Sequence, residues 1–184
     1  MMQELSLNVL DVAENSVRAD ASLVEITVEE DTAADRLAIT IRDNGKGMTR
    51  EQASAVIDPF YTTRTTRKVG LGVPFFKMAA LMTGGDFSIR SQVGKGTEVK
   101  AVFGLTHIDR MPLGNMADTM CILMGCNEQI NFSFTYQVGE EVFSVSTAQL
   151  QEILDGVPLN SPQVMEFIRG YIKENMDLLS GGAS

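Results

Sequence analysis

The chain of 184 residues is 44% apolar and 21% charged, the balance of a folded protein rather than a disordered one. Its 24 acidic and 15 basic side chains leave a net charge of −9, which excludes a general footprint for nucleic acid or for an anionic membrane. No apolar run reaches the ~18 residues of a spanning helix. The N-terminus lacks the basic opening of a secretory signal, and Cys121 and Cys126 are too few for a disulfide framework. These features lead to the expectation of a cytoplasmic protein without nucleic-acid or membrane partners.

Leu5, Val9, Val12, Ser16 and Ala19 fall at helical spacing and predict an amphipathic helix over residues 3–19. LVEITVEE (23–30) and RLAITIR (36–42) alternate apolar and polar residues, as half-buried strands do, and a polar turn joins them. DNGKGM (43–48) reads as a loop and 49–57 as a short helix opened by Thr49. Residues 58–69 are polar and basic without a period. A helix is expected over 71–82, with Pro74 in its tolerant first turn. Strands follow at 86–92 and 97–104.

The composition then changes. Residues 1–105 carry 12 basic and 14 acidic side chains, whereas 106–184 carry 3 and 10. THIDRMP (106–112) therefore reads as a seam between two parts, 1–105 and 106–184. The second part predicts strands near 119–124, 131–137 and 142–145, then helices over 147–154 and 161–179, the latter with Pro162 at its first position. On a strand, Cys121 and Cys126 point to opposite faces, and with no further Cys or His nearby they read as two buried thiols. The tail SGGAS is low in complexity.

Four short segments carry chemistry. Asp11 and Asn15 share a helix face; the Asn15 amide oxygen suits a hard cation such as Mg²⁺, and Asp11 suits a base acting on water, unless both merely face solvent. Asp43, ending a strand before glycines, can accept from an exocyclic amine or can belong to an ordinary β-turn. DPFYTTRTTRKVGLG (58–72) places Arg64, Arg67 and Lys68 ahead of Gly70-Leu71-Gly72 at a helix start, which suits phosphates or a solvated basic loop. GKGT (94–97) is a hairpin turn whose Thr97 hydroxyl can donate. Neither a Walker A loop nor a G-x-G-x-x-G fingerprint occurs.

The order of these segments is more specific than any one of them. LDVAENSVRA, DNGKGM, DPFYTTR, GLGV and GKGTEV follow one another over residues 10–99. The series resembles the ATP-binding domain shared by DNA gyrase, heat-shock chaperones, histidine kinases and MutL, over residues 3–104. The short PFYTTR–GLGV interval is most like histidine-kinase catalytic domains. That resemblance implies a two-layer α/β sandwich of Bergerat type, with 106–184 as a small α+β extension. The extension either pairs its strands with the ATPase sheet or forms its own lobe, as a packing or partner-binding module. It further implies ATP and Mg²⁺ as ligands. Asn15 then binds Mg²⁺, Asp43 accepts the adenine amine with support from Thr97, and Gly45, Gly47 and Met48 line the base pocket. Residues 58–69 form a lid with Arg64, Arg67 and Lys68 near the phosphates, and Gly70, Leu71 and Gly72 approach the phosphates.

Two departures qualify the resemblance. Hydrolytic members carry Glu four residues before the Mg-binding Asn, whereas here it is the shorter Asp11. The single histidine, His107, lies at the seam without the sequence context of a phosphoacceptor. With no dimerising helix ahead of the first motif, the expectation is phosphorylation of a separate partner protein. A slow ATPase switch and a non-catalytic ATP sensor are the alternatives.

Overall fold

The computed structural model describes residues 3–59 and 71–181. In chain order the elements are α1 (Leu5–Arg18), β1 (Leu23–Asp31), β2 (Arg36–Asp43), α2 (Arg50–Val56), α3 (Gly72–Leu81), β3 (Asp86–Gln92) and β4 (Gly96–Gly104). Then come α4 (Met116–Cys126), β5 (Asn131–Val138), β6 (Glu141–Ser146), α5 (Thr147–Leu154) and α6 (Pro162–Leu179). The strands form one six-stranded sheet in the order β3-β4-β2-β1-β5-β6. All neighbours are antiparallel except β1 and β5, which run parallel.

Alternation along the strands builds a two-layer α/β sandwich. Val24, Ile26 and Val28 on β1, Ile39 and Ile41 on β2, Phe132 and Phe134 on β5 and Val145 on β6 are buried, on the sheet face that the helices cover. The other face is polar: Arg90, Glu98, Arg42 and Glu25 are successive cross-strand neighbours of alternating charge. The helix layer follows the strand order. α1 packs against α3 on one side and α4 on the other, and α4 packs against α6. One apolar core runs from Leu5 through Phe76 and Phe103 to Phe134 and Ile172.

Residues 106–181 therefore continue both layers, joining their strands to the sheet through β1 and β5. The seam also ties down α1. Leu5 and Ser6 donate their backbone N–H groups to the carbonyls of Pro112 and Leu113 at 2.9 and 2.8 Å. These bonds satisfy donors that no helix start can satisfy internally, and Glu4 provides no side-chain cap.

One expected strand is a helix. Residues 119–124 lie inside α4, which Asn115 opens by accepting from the Asp118 N–H at 2.9 Å. Met116, Met120, Leu123 and Met124 are all buried, because α4 is packed between α1 and α6 over β5. A continuous apolar run has the same pattern whether it is a buried strand or a buried helix. The helix also separates the two thiols: Cys121 is buried and Cys126 is exposed, so only one of the pair is a core residue. Among the described residues, no helix is long and apolar enough to cross a membrane.

Candidate functional site

The site-forming residues gather where β2 ends beneath the C-terminal half of α1. The sheet register places Asp43 opposite Thr97, and Thr97 opposite Ser91, so three polar side chains form one row across β2, β4 and β3. The row lies one step beyond the buried Ile41 and Val99, on the face toward the helices. Asp43 Oδ1 accepts from the Gly45 N–H at 2.9 Å, and Oδ2 accepts from the Ser16 hydroxyl at 2.6 Å. A carboxylate has about four acceptor positions, so the Asp43 oxygens keep acceptor capacity for a further donor. The Thr97 and Ser91 hydroxyls lie 2.8 Å apart, and Ser91 Oγ also accepts from the Met48 N–H at 2.8 Å.

The loop after β2 is held tightly on both sides. A Cβ on Gly45 would lie 2.7 Å from the Ala19 carbonyl oxygen. At Gly47, φ is +70° and a Cβ would fall 2.0 Å from the Gln92 carbonyl oxygen. The loop thus threads between the end of α1 and the β3–β4 turn, which only glycine allows at this spacing. Asn44, directly before Gly45, accepts from the N–H groups of Ser22 and Leu23 at 2.9 and 3.0 Å and fixes the start of β1.

Asp11 and Asn15 lie on α1, one turn apart. The Asn15 amide oxygen accepts from Arg18 Nη1 at 2.9 Å, and Arg18 approaches Glu14 at 3.8 Å. Asp11 meets the start of α3, since a Cβ on Gly72 would lie 2.7 Å from the Asp11 Cβ. Burial raises the Asp11 carboxyl above its ordinary range, and Arg18 partly offsets the rise. The N-terminus of α3 has Leu71 as its capping residue, without a side-chain cap, and no acid in its first turn. Its first N–H groups and the positive end of its dipole suit an anion.

Asp11, Asn15, Asp43, Gly45, Gly47, Met48, Leu71, Gly72 and Thr97 are thus distributed over α1, the end of β2, the start of α3 and β4. Arg64, Arg67, Lys68 and Gly70, with most of the 58–69 segment, lie outside the described residues. Ser16 bonds Asp43 and Ser91 bonds Thr97, although neither serine belongs to the candidate site residues of the sequence. The available signal for Ser16 is its place on the apolar stripe of α1, where a buried hydroxyl needs a partner. Among the described residues, no cluster of three or more His, Cys, Asp or Glu could hold a metal by protein ligands alone.

Residues 1–107 match the family model "Histidine kinase-, DNA gyrase B-, and HSP90-like ATPase". A putative sensor protein of Shewanella frigidimarina is 30% identical over 109 residues, 58% of this chain and 17% of its own length. Sporulation kinase D of Bacillus subtilis is 32% identical over 91 residues, 50% of this chain and 18% of its own. The sensor histidine kinase ZraS of Salmonella typhi is 34% identical over 83 residues, 45% of this chain and 18% of its own. This chain therefore spans less than a fifth of each of these relatives. Among solved structures, the Aquifex aeolicus MutL ATPase domain complexed with ADP superposes with a TM-score of 0.52 at 14% identity, covering 84% of this chain and 70% of that one. The N-terminal domain of a DNA repair protein superposes with a TM-score of 0.53 at 17% identity, covering 78% and 52%. These two likenesses concern the fold.

Proposed function

Because the chain belongs to the histidine kinase-, DNA gyrase B- and HSP90-like ATPase family, we propose that it binds Mg-ATP through residues 1–105 and phosphorylates a separate partner protein in cytoplasmic signalling. The observation that carries this reading is the Asp43 row. An acceptor-only carboxylate, held by Ser16 and Gly45 beside the Thr97 hydroxyl, matches the donor amine of adenine and a neighbouring ring nitrogen. Gly45, Gly47 and Met48 line the base pocket.

The uncapped start of α3 at Leu71 and Gly72 takes the phosphates, with Gly70 approaching them and Arg64, Arg67 and Lys68 as counter-charges. Asn15 is the protein ligand for Mg²⁺. Its amide oxygen has a second lone pair besides the one engaged by Arg18. The lack of a multi-carboxylate cluster among the described residues fits a metal held mainly by phosphates and water. When bound, Mg²⁺ supplies charge neutralisation at the phosphate oxygens.

Relatives named as a sporulation kinase and a sensor histidine kinase support phosphoryl transfer. A second reading, a slow ATPase switch or a sensor that only binds ATP, draws on Asp11. Its half-buried carboxyl beside Gly72 is a candidate base for water, one methylene shorter than Glu. Residues 106–184 serve in either reading as the packing and partner-facing extension.

The experiment follows the γ-phosphate. Protein incubated with Mg²⁺ and γ-labelled ATP is expected to bind the label and either release it or move it to protein. Acid-labile, base-stable phosphoprotein marks His, and the reverse marks Ser or Thr. Label that never associates with the protein contradicts the reading, and label that stays on bound ATP favours the sensor.

A further inference from the structure

The sheet ends at β6, and its far edge carries no strand among the described residues. Natural edge strands are usually guarded by lysine, proline or a bulge. β6 reads EVFSVS, and after Glu141 it holds no charge and no proline. Val142 is 56% exposed on the polar sheet face, while Phe143 and Val145 are buried under the helices.

α6 packs beside this edge and carries Phe167, Tyr171 and Leu178 on one face, with the exposed Glu174 among them. The Tyr171 ring meets Phe143 edge-on at 5.6 Å, and Phe167 stacks on Tyr171 at 6.2 Å. Phe167 is 54% exposed, Tyr171 39% and Leu178 73%. This face points away from α4: Arg169, which binds Asp118 on α4, lies about 200° round the helix from Phe167. Gly170, directly before Tyr171, leaves open surface. One more strand beside β6 would find its helix-side residues covered by these rings.

We propose that the added strand is β6 of a second copy, antiparallel about a two-fold axis at Ser144. This register keeps every face matched, because Phe143 meets Val145 of the second copy and Val142 meets its Ser146. It also separates the two glutamates at the start of the strand. Glu141 and Glu140 come opposite Thr147 and Ala148 of the second copy, the first turn of its α5. That turn carries no acid of its own, so the carboxylates meet the positive end of a helix dipole rather than each other. The joined sheet has twelve strands, with these α6 faces of the two copies packed across the axis. The pairing does not depend on nucleotide binding.

Sedimentation equilibrium of the full chain tests it. The expected wild-type mass is twice the 20.1 kDa of one chain. Ser144 is exposed, so Ser144→Lys and Ser144→Glu should still fold and melt cooperatively, yet each sets like charges opposite each other at the axis and should sediment as a monomer. An equimolar mixture of the two variants should regain the dimer mass. Phe167→Asp on α6 should weaken dimerisation at least about tenfold. A monomeric wild type overturns the proposal. So does a dimer that neither Ser144 variant disturbs, or a mixture of the two that stays monomeric.

Discussion

The Ser16 hydroxyl donates to Asp43 Oδ2 across 2.6 Å, joining the helix that carries Asp11 and Asn15 to the strand end that carries the adenine candidate. Ser16 is 3% exposed, so this is a desolvated contact that orients the carboxylate. Ser16→Ala should weaken ATP binding by about 1 kcal/mol, roughly fivefold, and Ser16→Thr should recover part of the loss. Calorimetric titration of the two variants with Mg-ATP checks both values.

The loop after Asp43 depends on backbone space. Gly47→Ala combines a positive φ with a Cβ placed on the Gln92 carbonyl oxygen, so the β3–β4 turn must move. The variant should lose about 2 kcal/mol or more of stability and bind nucleotide poorly. Gly94→Ala, also at positive φ but facing open space, should cost less. Paired urea denaturation curves give the comparison.

The pH dependence of Asp11 has a definite sign. Its folded pKa is raised from 3.8 by burial, so ionised Asp11 opposes folding as pH rises through the carboxylate range. Asp11→Asn should therefore melt higher than wild type at pH 7, and the gain should shrink toward zero in acid, where both states are protonated. If Asp11 is also the base for water, the same variant loses phosphate release while retaining ATP binding. Melting scans across pH and a phosphate-release assay separate the two effects.

The two thiols should react very differently. Burial pushes the Cys121 thiol up to about 11, and its Sγ lies 3.5 Å from the Met165 carbonyl oxygen. Cys126 is exposed. Native protein at pH 8 should take up one equivalent of a thiol reagent rapidly and a second only in denaturant. Rapid loss of both thiols contradicts the packing of α4 against α6.

Much of the fold was legible because its periods are regular. The i, i+4 apolar spacing from Leu5 to Val12 marks α1, and the alternation in 23–30 and 36–42 marks β1 and β2 within one residue at each end. Ser146 and Gln149 form a capping box, so the start of α5 at Thr147 follows from local chemistry. By contrast, TMCILM has no period, and only burial between two helices makes it α4 rather than a strand. The parallel junction of β5 with β1 depends on residues more than 100 positions apart, and no local pattern encodes it. In the site, Asp43 and Thr97 were visible as motif residues, but their alignment opposite each other comes from the β2–β4 register. Ser16 was hidden because a serine inside an amphipathic helix usually signals nothing more than a small polar residue.

The central claim is that Asp43 reads the adenine ring. Calorimetric titration of wild type and Asp43→Asn with Mg-ATP, alongside a thermal melt of each, addresses it most directly. Asn keeps the shape of Asp43 but turns one acceptor into a donor facing the adenine amine. The account predicts saturable binding to wild type, no detectable binding to Asp43→Asn, and a preserved cooperative melt. Undiminished ATP binding by a folded Asp43→Asn variant would contradict it.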